Sequence, residues 1–286
     1  MTDAPVLRRR RLGATDLMVA ELGLGAMDTP TVAEGEETLH LALDLGIDFI
    51  DTARLYQGSE YLIGQVVRAR GGDRGVSLAS KTISRDRDSA QYEVDRSLGV
   101  LGVDRIEMYQ LHDVSSLQAW DAVMREGGAL EGLQIARARG LISHIGMSSH
   151  SLKVLEKAIT CGEFETVMLE YSAFYREAEP LMALARARDV GIIVMRPLGG
   201  SGRTSSIRTQ MKAAGQDVYL TPSMLLRYVL SNPDVSVAIP GVRYPDRVRE
   251  NVALALDYEP MDEPEKRECE RQAALLYGPN PTDSGR

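Results

Sequence analysis

One pattern recurs along this chain and restricts its fold more than any other: an amphipathic helix, a glycine, then a short apolar strand. In "EETLHLALDLG", Leu39, Ala42 and Leu43 share one helical face and Gly46 is placed as a left-handed cap; the strand "IDFID" follows. "SEYLIGQVVRARGG" leads in the same way to "GVSLASK", and "SAQYEVDRSLGVLG" to "RIEMYQLH". The second half repeats the scheme: "LEGLQIARARG" before "ISHIGMSS", "SLKVLEKAITCG" before "TVMLEYS", and "EPLMALARARDVG" before "IIVMRPLGG". Last comes "TPSMLLRYVLSNP", with Thr221 as N-cap and Pro222 in the first turn, before "VSVAIPG". With "AELGLGAM" (20–27) as the first strand, eight strands alternate with helices. Such alternation demands parallel strands, and eight units over 286 residues predict an α/β fold closed as an (α/β)8 TIM barrel. The competing open, doubly wound sheet calls for G-x-G-x-x-G after the first strand, and "GLGAMDTP" does not supply it.

No linker or low-complexity tract interrupts the pattern, so a single domain is expected over 1–286, with a frayed tail at about 279–286. The N-terminal "MTDAPVLRRRRLG" is basic but has no apolar stretch behind it, unlike a secretory signal. Its arginines, Arg8 to Arg11, read as a nucleic-acid arm or as a short solvated β-hairpin turning at "GATD"; the hairpin is the expectation. The net charge of -8 argues against nucleic acid as a partner, and no apolar run reaches membrane-spanning length. Cys161 and Cys269 stand far apart in no metal-like spacing, so no metal is expected and a reducing cytoplasm fits. No pattern specifies an oligomer.

Three polar residues end three successive strands: Asp51, Lys81 and His112. One βα unit separates each from the next, so a parallel barrel sets all three on neighbouring strands at its C-terminal mouth, and Tyr56 lies on the first loop above. Alone, each has a plain structural reading: a turn-forming aspartate, a snorkelling lysine, a packed histidine. Together they suit proton transfer to a developing alkoxide. A lysine ammonium beside a tyrosine favours the phenolate and lowers a phenol pKa near 10; an aspartate keeps the lysine charged; a histidine orients the substrate oxygen. No carbon nucleophile is present in the set, so the reducing hydride must come from a nicotinamide cofactor.

The stretches "GIDFIDTARLYQGSEYLIG", "LASKT", "YQLHD", "HIGMSSH" and "IPGVRYPDRVREN" resemble, in order and separation, the aldo-keto reductase superfamily. That resemblance implies a barrel binding NADPH, with NADH as the other possibility, and a tetrad of Asp51, Tyr56, Lys81 and His112 in which Tyr56 is the general acid. Arg243 and Arg247, near a helix start, would pair with a 2′-phosphate, although Arg247 and Glu250 also read as an ordinary i,i+3 pair. Glu250 and Asn251 would meet the adenine, and "PLGGSG", with Leu198 and Gly200, would form a loop over the pyrophosphate. Met27 would border both cofactor and substrate.

The sequence departs from the family pattern in places. Ser148 matches the serine of the usual Ser-Asn pair, but Ser149 replaces the asparagine. Met168 stands for the glutamine that binds the carboxamide, Arg196 for the aromatic that stacks on nicotinamide, and Gly241 with Val242 for a Lys-Ser pair. Met27, Trp120 and Phe174 are candidate pocket residues for a small-molecule carbonyl substrate; Trp120 also shares helical spacing with Leu117 and Met124, which favours packing. Two other functions compete with carbonyl reduction. One is a cofactor-sensing regulatory subunit. The other is an isomerase or aldolase with Lys81 as a Schiff base, which needs a neutral amine that Asp51 opposes.

Overall fold

The computed structural model describes residues 6–199 and 219–277; Gly200 and the tail expected to fray lie outside them. A hairpin comes first, β1 (Arg9–Arg11) antiparallel to β2 (Met18–Ala20). The barrel strands follow: β3 (Leu24–Gly25), β4 (Phe49–Asp51), β5 (Ser77–Thr82), β6 (Ile106–Leu111), β7 (Ile142–Ser148), β8 (Thr166–Glu170), β9 (Gly191–Met195) and β10 (Val237–Ile239). Each pairs in parallel with the next in chain order. The ring closes between its first and last strands: Gly23 N–H donates to Ala238 O (2.9 Å), Ala238 N–H to Glu21 O (2.9 Å) and Gly25 N–H to Pro240 O (3.0 Å).

Helices wrap the outside: α1 (Gly35–Asp44), α2 (Ser59–Ala69), α3 (Arg87–Leu101), α4 (Leu117–Met124), α5 (Ala129–Ala138), α6 (Leu152–Cys161), α7 (Glu179–Ala187), α8 (Pro222–Leu230), α9 (Pro245–Asp257) and α10 (Glu263–Tyr277). Thr221 caps α8 as the sequence predicts, its hydroxyl accepting from Met224 N–H. The stretch expected as one first strand (20–27) is divided between the hairpin and the barrel. Its glycines give the reason: a Cβ on Gly23 would meet Phe49 O at 2.9 Å, and one on Gly25 would meet Ile239 O at 3.0 Å, so the chain there is squeezed between both neighbours. The helix α4 is an addition to the simple alternation, between β6 and α5.

Two apolar layers follow from the alternation of strand faces. The larger lies between barrel and helices. The smaller fills the barrel, where Phe49, Ala79, Met108, Met168, Ile193, Val237 and Ile239 meet Leu12 and Val19 of the hairpin. The hairpin is thus a plug at the N-terminal end. Gly13 makes this possible: its φ is +56°, and a Cβ there would lie 2.1 Å from Gly191 N. The arginine run serves the plug and is not a free arm. Arg10 donates to the carbonyls of Asn232 (2.9 Å), Val235 (2.7 Å) and Leu230 (2.5 Å) and pairs with buried Glu21. Arg8 reaches Tyr258 O, Arg9 pairs with Asp48, and Arg11 with Asp189.

Candidate active site

With the N-terminal end plugged, the C-terminal mouth is where polar side chains point into the barrel. Asp51 ends β4, Lys81 sits next to last on β5, and His112 follows β6. Strand register places them side by side, Asp51 opposite Ala79 and Lys81 opposite Gln110. The side chain of Lys81 is fully buried, and its ammonium donates to Asp51 Oδ2 (2.7 Å) and to Thr52 O (2.7 Å). These two contacts fix the position of Nζ. Gln110 Nε2 reaches the other carboxylate oxygen, Oδ1, at 3.4 Å. Sequence reading omitted Gln110, although it faces the barrel two residues before His112 and so shares its side of the strand.

Tyr56 is half-buried above this pair. Lys81 Nζ lies 4.8 Å from the centre of its ring, and the His112 ring stands edge-on at 5.5 Å between centroids. Burial raises the phenol pKa above its usual 10.0, with Lys81 opposing; the lowering expected from the lysine alone is outweighed. Burial also raises the Asp51 carboxyl against the pull of Lys81. His112 is driven down to about 3, first by burial and then by Lys81, so it is neutral at ordinary pH. Its Nδ1 is buried with no hydrogen-bond partner in the structure. A neutral imidazole can donate one hydrogen bond to a carbonyl oxygen or accept one from its alcohol product.

Across the mouth, Glu170 ends β8 and gathers two partners on one oxygen: His150 Nδ1 at 2.6 Å and Arg196 Nη1 at 2.8 Å. These partners hold the Glu170 carboxyl below its usual value although burial pushes the other way. Arg196 has a left-handed backbone, with φ of 54°. Met195 shares the inward face of Ile193 and packs on the interior cluster, whereas Arg196 turns across the rim to Glu170.

The remaining candidates fall into three groups at the mouth end, with Trp120 apart from them. Ser148 ends β7 with its hydroxyl accepting from Asp113 N–H at 2.9 Å, which leaves its own proton available. Ser149 is buried and its hydroxyl donates to Val114 O at 2.8 Å, so it holds two loops together. Met168 packs inside the barrel and offers no polar replacement for a glutamine. Around the start of α9, Arg243 pairs with Asp28 at 2.8 Å and Arg247 with Glu250, both arginines about half exposed. Asn251 is half-buried on the same helix, and Gly241 has open space where a side chain would begin. Met27 is exposed beyond β3, Leu198 is half-buried beyond β9, and Phe174 is buried in the turn beyond β8, all at the mouth end. Trp120 is elsewhere: on α4, its ring packs 6.3 Å from that of Phe164, which precedes β8, with Lys157 Nζ 5.6 Å from its centre. That places the indole in the helical layer, as its spacing with Leu117 and Met124 suggested.

The sequence profile of the Aldo/keto reductase family matches residues 21–270. An uncharacterized oxidoreductase of Bacillus subtilis, YqkF, is 26% identical over 290 residues, covering 87% of this chain and 91% of that protein. Among solved structures, the holo form of an aldo-keto reductase from Bacillus halodurans shares the fold, with a TM-score of 0.78 at 24% identity over 93% of this chain and 96% of that one. An aldo-keto reductase from Klebsiella pneumoniae, solved in complex with NADPH, gives a TM-score of 0.74 at 26% identity over 98% of each chain.

Proposed function

Because the chain belongs to the aldo/keto reductase family, we propose that it reduces small aldehydes or ketones to alcohols with NADPH, Tyr56 giving the proton. The observation that carries this reading is a run of contacts through three groups: Asp51 against Lys81, and Lys81 beneath the Tyr56 ring. A substrate carbonyl oxygen at the mouth would meet the Tyr56 hydroxyl and the His112 ring together. The phenol, kept protonated by burial, donates its proton as negative charge develops on that oxygen. The Lys81 ammonium then stabilises the phenolate left behind, and Asp51 and Thr52 O fix the ammonium where that charge appears. His112, being neutral, orients the oxygen without competing for the proton.

A nicotinamide cofactor, when bound, would supply the hydride for the carbonyl carbon. The residues present fit it unevenly. Arg243 and Arg247, half exposed beside the first turn of α9, suit a 2′-phosphate in exchange for their present carboxylate partners. Met195, packed on the interior cluster at the end of β9, would border a flat ring at the mouth. Ser148 retains a hydroxyl proton for a carboxamide, while Ser149 and Met168 contribute packing. The Klebsiella relative solved with NADPH supports this choice of cofactor, with NADH the alternative to be tested. The pairing of Lys81 with two acceptors also weighs against Schiff-base chemistry, which requires the free amine. Both cysteines are free thiols, in keeping with a reducing cytoplasm.

The test is consumption of NADPH and of NADH against a panel of aldehydes, ketones and quinones, with Tyr56→Phe alongside. Turnover by the native protein that collapses in the variant supports the reading. Cofactor binding without turnover across the panel would move it to a cofactor-sensing role.

A further inference from the structure

Tyr56 does not lie on a strand. It sits near the middle of the loop joining β4 to α2, and the placement of its hydroxyl depends on what holds that loop. The ends are closed by a side-chain pair: Thr52 Oγ1 donates to Ser59 Oγ (2.7 Å), and Ser59 Oγ donates to Ala26 O (2.8 Å) beyond β3. Inside the loop, Arg54 forms an ion pair with Glu60, on the first turn of α2. The carboxylate is almost fully buried, at 4% exposure, and the guanidinium is largely covered, at 24%. Glu60 is fixed in turn by Ser80 of β5, whose hydroxyl donates to Glu60 Oε1 at 2.6 Å.

These contacts converge on the strand that carries Lys81. Ser80 is its neighbour, Arg54 N–H donates to Lys81 O at 3.0 Å, and Lys81 Nζ donates back to Thr52 O at 2.7 Å. The carbonyl of Lys81 is therefore bonded to the Tyr56 loop through Arg54 N–H, the Ser80 hydroxyl holds Glu60 at the start of α2, and the Lys81 side chain meets the Tyr56 ring. We propose that Arg54 and Glu60 are positioning residues for the reduction, a buried ionic staple that fixes the Tyr56 hydroxyl relative to Lys81 and His112. The proposal rests on the reductase reading above. The physical case is one of specificity of geometry: a buried pair is a costly way to gain stability but an effective way to forbid other arrangements. The packing of the loop leaves Leu55 and Gln57, on either side of Tyr56, exposed, so apolar burial does little to hold its tip.

The experiment is a double-mutant cycle on the full chain, with Arg54→Met and Glu60→Gln each made in the native and in the Tyr56→Phe background. In the native background kcat should fall roughly 10- to 100-fold, as for a misplaced reacting group, with the KM for cofactor within about two-fold. In the Tyr56→Phe background the same substitutions should add less than about two-fold, because the acid they position is already gone. Equal losses in both backgrounds, or no loss in the native one, would overturn the proposal. Ser80→Ala and Glu60→Asp, milder changes to the same staple, serve if the first variants fail to fold, with the conservative Glu60→Asp recovering part of kcat. Hydrogen exchange of the 52–59 segment gives a readout free of turnover: faster exchange there in Arg54→Met is expected, and unchanged exchange would sink the staple. A native protein without any turnover would instead overturn the reductase reading, leaving the exchange result to decide the staple.

Discussion

The ammonium of Lys81 lies beneath the ring of Tyr56, 4.8 Å from its centre, and is wholly shielded from solvent. A cation in that position favours the phenolate over the phenol, yet burial keeps the phenol protonated until a stronger demand for the proton arises. The two influences oppose one another, and the Lys81 ammonium is the one that favours the phenolate formed when the proton leaves.

Removing that hydroxyl separates chemistry from binding. Tyr56→Phe is expected to lower kcat for carbonyl reduction by roughly 100- to 10,000-fold, the usual worth of a positioned acid. Cofactor affinity, read by fluorescence titration, should stay within about two-fold.

Lys81→Met should be costly to the fold as well as to turnover. It strands the Asp51 carboxylate in the barrel, and breaking a buried pair in this way costs about 3–5 kcal/mol. The double change Lys81→Met with Asp51→Asn removes the stranded charge and should regain much of that stability but none of the activity. Urea unfolding of the two variants beside kcat makes the comparison.

The pH profile should lack a histidine limb. His112, pushed down to about 3, stays neutral where an ordinary imidazole would titrate near 6.5. Tyr56 loses its proton only above 10.0. Reduction should therefore be flat from about pH 5 to 9 and decline beyond, as the acid is lost. Alcohol oxidation, which needs the phenolate, should climb over the same span. An inflection near the ordinary histidine value in the rate of reduction would contradict the neutral assignment.

The Asp28–Arg243 pair offers a test of where a 2′-phosphate binds. Arg243→Ala with Arg247→Ala should weaken NADPH by roughly 10-fold or more and NADH little, since two charge-assisted contacts are lost to one cofactor alone. Asp28→Asn should move the other way and tighten NADPH, because Arg243 no longer has to leave a carboxylate. Isothermal titration with both cofactors distinguishes these outcomes from a general loosening.

Much of this arrangement was legible in the sequence because strand ends and period carry it. Asp51, Lys81 and His112 recur once per βα unit, and a parallel barrel can only bring such residues to one rim. The ion pair of Arg196 was not legible for an equally plain reason: adjacent residues at a strand end take opposite faces, so Met195 packs inward while Arg196 crosses to Glu170. The role of the Ser149 hydroxyl was hidden for another reason. Its acceptor is the carbonyl of Val114, a backbone atom in a distant loop, and no side-chain pattern announces such a partner. The net direction of the Tyr56 shift was unreadable too, because it depends on how deeply the ring is covered.

The closing seam of the barrel has a consequence in time. Leu22 and Ala238, near opposite ends of the chain, are partners across it. A polypeptide emerging from the ribosome would carry its first strand as a raw edge until almost all the others had been made. Such edges invite pairing with the wrong neighbour. The arginines of the hairpin reach the same late region, with Arg10 bound to the carbonyls of Leu230, Asn232 and Val235. The first barrel strand therefore waits for the eighth, and its vulnerability is greatest during synthesis.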